Sequence, residues 1–427
     1  MRVVFAFLFA FCLLGADAGR AQDLVASLKE CASTVRSIEP ADTDYTDLAG
    51  LRAAVGGARV VLLGEQTHGE GTTFTAKIRL IKFLHEKMGF DVLAFESGFY
   101  DCARIWENVQ AGGTLSQEVI GSLFYMYATS VQTQPLFDYI QDGLHGPHPL
   151  VLTGFESQHT GLKAKAQLFD DFERFLKKRA PDEVDEEWWL FRRVSVATFG
   201  SRDYRPGLAE RERFFHKLSE LQRLLTEGGR VTDSLTNSEG FWYQVLNSIE
   251  SQTKRYWGMV TGNEVSVRDA QMAKNLIWLA EKAYPGKKII VWAHNGHIAK
   301  GMGSLVEGGR RAPQGDSAFV PMGATIHRYF GSKAYCIGFS GSEGSYMNYV
   351  NDQIVTVAPR PAGSIEGALA GAGDIYAFLD YRRASGALQK AQSGTLADFG
   401  EVRGIWPEVF DGLFFIGRVS PVERTGK

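Results

Sequence analysis

"VVLLGEQTHGEG", residues 60–71, joins an apolar run to a polar, glycine-rich turn. Val60–Leu63 is apolar throughout and begins with two β-branched valines. That is the composition of a short strand buried on both faces of a parallel sheet. The run stops at Gly64, and Glu65 and His68 follow it. In open parallel sheets, ligands bind outside the carboxyl ends of the strands. A carboxylate and an imidazole delivered there are candidate site groups, although Glu65 alone is equally well read as a helix cap.

The flanking segments alternate in the way this reading requires. "DLVASLKECASTVRSIEP" (23–40) reads as an amphipathic helix, and "DTDYTDLAGLRAAVGGA" (42–58) as another, capped by Thr46 or Asp47. In "TTFTAKIRLIKFLHEKMG" (72–89), Phe74, Ile78, Ile81, Leu84 and Met88 recur at helical spacing, and Gly89 ends the pattern. "FDVLAFES" (90–97) and "PLVLTGFES" (149–157) read as strands, with helices in "YDCARIWENVQ" (100–110) and "PLFDYIQDGL" (135–144). "KKIIVWAHNGH" (287–297) and "KAYCIGFSGSEG" (333–344) resume the strands. "IVTVAP", "IYAFLDY" and "GLFFIGRVSP" suggest further strands at the sheet edge. The fold class expected is α/β, a mainly parallel central sheet flanked by helices. From about 162 to 278 the alternation gives way to helical patterns, read as a helical insertion or lid segment.

Polar residues gather where the strands end. Glu65 and His68 follow the first, Glu96 and Ser97 the second, and Glu156, Gln158 and His159 the third. His294, Asn295 and His297 follow "IIVWA". Their joint placement says more than any one of them. Two chemistries suit the set. In one, a neutral histidine takes a proton from water while a carboxylate fixes its tautomer; each such proton transfer contributes roughly 10²–10⁴-fold. In the other, His68, Glu96, His294 and His297 hold a zinc-like metal, but His-x-x-His alone is weak support. A serine nucleophile has no G-x-S-x-G elbow, and no nucleotide-binding glycine motif occurs.

The chain has 427 residues, a net charge of −3, 44% hydrophobic and 22% charged residues. That balance offers no strong field for nucleic acid or an anionic membrane. "MRVVFAFLFAFCLLGADAGRAQD" has one basic residue, an apolar run and a small-x-small site at Ala16–Ala18. It reads as a signal peptide over residues 1–21, with a single domain over 22–427 that works in secreted or periplasmic form without stable membrane association. Cleavage leaves Cys31, Cys102 and Cys336, which allow at most one intramolecular disulfide, so a core must hold the fold.

"LLGEQTHGEG", "FESG", "GFESQ", "RDAQMAKN" and "IVWAHNGH" occur in an order that resembles the erythromycin esterase family, across roughly residues 55–345. The resemblance implies a metal-independent hydrolase of ester or lactone bonds, needing no cofactor and acting on a small-molecule ester. Macrolide lactones and antibiotic resistance come with the family name. It implies His68 as general base, Glu65 and Glu96 as supporting carboxylates, and His294 and His297 as the second histidine motif. It implies a basic residue on the first long helix, where Lys77 stands nearest and Arg79 close by. Glu156, Gln158 and Asn295 complete the expected substrate-binding set. Arg268 and Asp269 match a further motif, with a structural or pocket-lining role. The chain departs from the pattern at Glu156, where aspartate is usual, and at Lys77, which stands where arginine is expected. A signal peptide is also unexpected in an enzyme that detoxifies antibiotics with a cytoplasmic target. Two alternatives stay open: a metal-dependent hydrolase using His68, Glu96, His294 and His297, and a periplasmic small-molecule binding protein. For the latter, "EEWWLF" and "FWYQV" are pocket candidates, although helix core is the better reading of both.

Overall fold

Val60–Leu63 forms strand β2, and all four of its side chains are buried. Around it the computed structural model describes residues 22–226, 228, 231 and 234–426. The expected signal segment 1–21 lies outside the described residues. The fold is α/β, with a mainly parallel central sheet flanked by helices. The chain divides into two compact units, Met1–Phe83 with Ala293–Gln314 and Ser332–Glu423, and Leu84–Trp292 with Gly315–Gly331 and Arg424–Lys427.

In the first unit, β2 pairs in parallel with β8 (Ala334–Met347), and β8 pairs in parallel with β13 (Gly412–Val419). β13 pairs antiparallel with β10 (Tyr376–Asp380), and β10 with β1 (Ala32–Thr34). The far end of β8 forms a hairpin with β9 (Ile354–Val357). "GLFFIGRVSP" therefore supplies an interior strand between β8 and β10, not an edge. The expected helix over 23–40 ends at Cys31, because Ala32–Thr34 pairs with Ala377–Leu379. A small antiparallel sheet joins β11 (Gln392–Thr395), β12 (Glu401–Gly404), β6 (Val306–Glu307) and β7 (Arg310–Arg311).

In the second unit, β3 (Phe90–Gly98) lies between β4 (Val151–Glu156) and β5 (Lys288–Trp292), all parallel. Glu96 and Glu156 thus sit at the carboxyl ends of neighbouring strands. Helices Leu162–Arg179, Glu186–Gly200, Leu208–Leu224, Glu239–Tyr256 and Glu264–Trp278 fill the stretch where alternation stops. Three have side-chain caps: Asp185 accepts from Trp188 N–H, Ser238 from Phe241 and Asn263 from Ser266. Their core is aromatic. Trp188 and Trp242 are fully buried, and Trp242 stacks on Phe172 with centroids 4.7 Å apart. "EEWWLF" and "FWYQV" thus spend most of their rings on helix packing.

Cys31, Cys102 and Cys336 are buried free thiols. Among the described residues no helix is long and apolar enough to cross a membrane.

Candidate functional site

Glu65 lies two residues beyond β2 and is fully buried, its carbonyl fixed by the Asn295 N–H at 2.8 Å. Lys77 enters from helix Gly71–Met88 and donates from Nζ to Glu65 Oε2 at 2.8 Å. Glu65 Oε1 lies 2.6 Å from His68 Nδ1. Burial alone would raise the Glu65 carboxyl, but Lys77 and then His68 outweigh it and hold the group below its ordinary value. An ionised carboxylate can only accept, so His68 donates from Nδ1, and in the neutral ring the lone pair then lies on Nε2. The His68 side chain is 14% exposed, enough for water to reach it.

His294 stands beside it, ring centroids 5.4 Å apart. Its Nδ1 accepts from the Gly296 N–H at 3.1 Å, and its Nε2 lies 2.8 Å from the Gln66 carbonyl, so Nε2 carries the proton. Both nitrogens are engaged, and the ring is fixed as the neutral tautomer. His297 is half-buried, its ring 6.2 Å from that of His294. Asn295 is buried. Its amide donates to the Phe339 and Leu396 carbonyls at 2.8 and 2.9 Å and accepts from the Phe339 N–H at 3.0 Å.

The loop around Glu65 is held closely. The Gln66 amide donates to Thr395 Oγ1 at 2.6 Å and accepts from the Phe399 N–H at 3.2 Å. Asp398 and Phe399 take φ of 46° and 55°, left-handed values that non-glycine residues keep only where surroundings over-determine them. A Cβ on Gly69 would lie 1.7 Å from the Met347 carbonyl oxygen, so only glycine permits this approach. That contact carries the β8–β9 hairpin tip to the site, where Tyr349 meets His68 edge-on at 4.9 Å.

In the second unit, Arg268 gathers two strand-end carboxylates. Its Nε donates to Glu156 Oε2 at 2.8 Å, and its Nη2 donates to Glu96 Oε1 at 3.0 Å and to Glu156. Despite burial, Glu156 and Glu96 hold the guanidinium well above its already high ordinary value. Gln158 accepts from the Tyr256 hydroxyl at 3.1 Å. His159 is buried against Phe199, rings 4.6 Å apart, and burial lowers it to about 4. Ser97 Oγ accepts from the Phe124 N–H, so it serves the backbone.

The geometry departs from the expected substrate contacts at three positions. Lys77 is fully buried as the charge partner of Glu65. Arg79 points elsewhere. Its five N–H groups go to the Asp47 carboxylate and to the carbonyls of Ser37, Asp42 and Asp44, leaving none for a substrate. Asn295 spends its amide on the backbone. Arg268 gains a role that its motif alone did not reveal. Tyr349 and Gln66 carried no sequence signal beyond lying in polar loops.

The family model described as erythromycin esterase matches residues 85–419. The chain belongs to the erythromycin esterase family. The match begins after the His68 loop, so the erythromycin esterase assignment rests on residues other than that motif. The chain is 25% identical over 407 residues to the Bacillus subtilis protein named "Putative hydrolase YbfO", covering 90% of this chain and 89% of that one. It is 23% identical over 419 residues to the Escherichia coli erythromycin esterase type II, covering 90% and 94%. A mutant of the erythromycin esterase EreC in its open conformation superposes with a TM-score of 0.66 at 19% identity, covering 91% of this chain and 98% of that one.

Proposed function

We propose that this member of the erythromycin esterase family is an exported, metal-independent hydrolase of a carboxylic ester or lactone, with His68 as general base on water. Family membership makes it a hydrolase of ester bonds. The observation that carries the mechanism is Glu65 held between Lys77 and His68. Glu65 fixes the tautomer in which Nε2 is the nitrogen that takes a proton from water. Hydroxide then attacks the ester carbon, and Glu65 stabilises the imidazolium that forms. The tetrahedral intermediate collapses and expels the alkoxide, and His68 returns the proton to it. The products are a carboxylic acid and an alcohol. His297 is the further polar member assigned to this chemistry. Export is supported by the signal-like composition of residues 1–21.

The metal-dependent reading is weaker because His294 would have to surrender its bond to Gln66 or to Gly296 in order to ligate. The binding-protein reading is weaker because the aromatic stretches it needs pack mainly against one another. The test is a hydrolysis screen of simple esters, lactones and macrolides, with and without a chelator. Macrolides belong in the panel because relatives bear that substrate in their names. Turnover that survives chelation supports the proposal. Turnover abolished by chelation and restored by metal overturns it.

A further inference from the structure

Helix Glu239–Tyr256 ends with two buried donors that have no acceptor. Arg255 is 7% exposed, and its Nε and Nη1 meet no hydrogen-bond partner. A guanidinium stays charged, so leaving it dry and unpaired is costly. Gln252, one turn earlier on the same face, is fully buried. Its Oε1 accepts from the backbone and the ring of His159, at 2.9 and 3.1 Å, while its Nε2 has no partner.

The surroundings explain what these donors lack. Glu156 attracts Arg255, but its oxygens are already taken by Arg268, Ser157 and the Gln158 N–H. Arg268 stands close enough to repel Arg255, which burial and then that repulsion lower from its ordinary value. Tyr256 and Glu264 are the other titratable groups that act on it. Arg255 Nε and Nη1 and Gln252 Nε2, one helical turn apart, thus remain buried donors without a protein acceptor, while Arg268 is held by Glu96 and Glu156. The chemistry that completes such a set is an oxyanion, for which arginine gives paired, charge-assisted bonds.

We propose that Arg255 and Gln252 form a subsite for an acidic group, carboxylate or phosphate, on the ligand. Its assignment to a substrate rests on the ester-hydrolase reading; the binding itself does not. The experiment is calorimetric titration of the full mature chain, wild type and Arg255→Met, with succinate and with inorganic phosphate, alongside thermal melts without added anion. Saturable binding of one probe tells carboxylate from phosphate. Arg255→Met should weaken it at least about tenfold, the factor for losing a charge-assisted hydrogen bond. The variant without anion should melt no lower than wild type, since it removes an unpaired buried charge. Gln252→Leu should weaken binding in the same direction. The proposal is overturned if wild type binds neither probe, if Arg255→Met binds equally well, or if that variant melts well below wild type, which would make Arg255 a structural partner. None of these readouts needs turnover, so they stand apart from the role of His68.

Discussion

Lys77 Nζ lies 2.8 Å from Glu65 Oε2, and neither side chain has any exposed surface. The pair keeps the carboxylate behind His68 ionised inside a dry core. Removing one member of a buried pair strands the other, at about 3–5 kcal/mol. Lys77→Met should lower the melting temperature sharply at pH 7. Glu65 sits below its ordinary value, so its contribution is complete above that value of 4.5 and is lost as pH falls through the lower folded value. The gap between Lys77→Met and wild type should therefore shrink in acid. A gap independent of pH would contradict this.

Glu70 behaves in the opposite sense. It is fully buried, one oxygen takes the Thr73 hydroxyl, and burial pushes it up to about 8. The folded chain therefore keeps a proton that the unfolded chain releases above 4.5. The associated stability is present in acid and is lost as pH rises through about 8. Glu70→Gln should match wild type near pH 5 and exceed it at pH 9 by at least about 1 kcal/mol. Denaturant melts at the two pH values measure this, and an equal difference at both would refute it.

Arg79→Leu separates a structural from a substrate role. The variant abandons the Asp47 carboxylate and three carbonyls, so it should lose about 3–5 kcal/mol. Whatever protein remains folded should keep the wild-type KM. A raised KM with unchanged stability would restore the substrate contact.

Arg268→Lys tests the fork. An ammonium cannot place paired donors on two carboxylates as a guanidinium does. Glu96 and Glu156 would share one less well-placed charge, and stability should fall. Glu156→Gln in the same background should recover part of the stability, and additive losses in the double variant would argue against a shared site.

Much of this was legible because β2 to β5 are short apolar runs that each end in a polar cluster. The helical stretch was legible from periodicity and capping residues. What escaped was long-range. Ala32–Thr34 leaves its helical pattern because it finds Ala377–Leu379, which no local window contains. β13 looked like an edge strand because its neighbours, β8 and β10, are distant in sequence. Lys77 and Arg79 were grouped because they are two residues apart, yet positions i and i+2 do not share a helix face. Only one could meet Glu65. His294 and His297 could not be told apart until Gln66 and Gly296 were seen to occupy both nitrogens of the first.

The most direct measurement is kcat/KM of His68→Asn on an ester that the wild type hydrolyses, with melting temperatures compared alongside. The expected result is a loss of at least about 10²-fold with a wild-type-like fold. Near-wild-type turnover in the folded variant would contradict the assignment of His68 as the base.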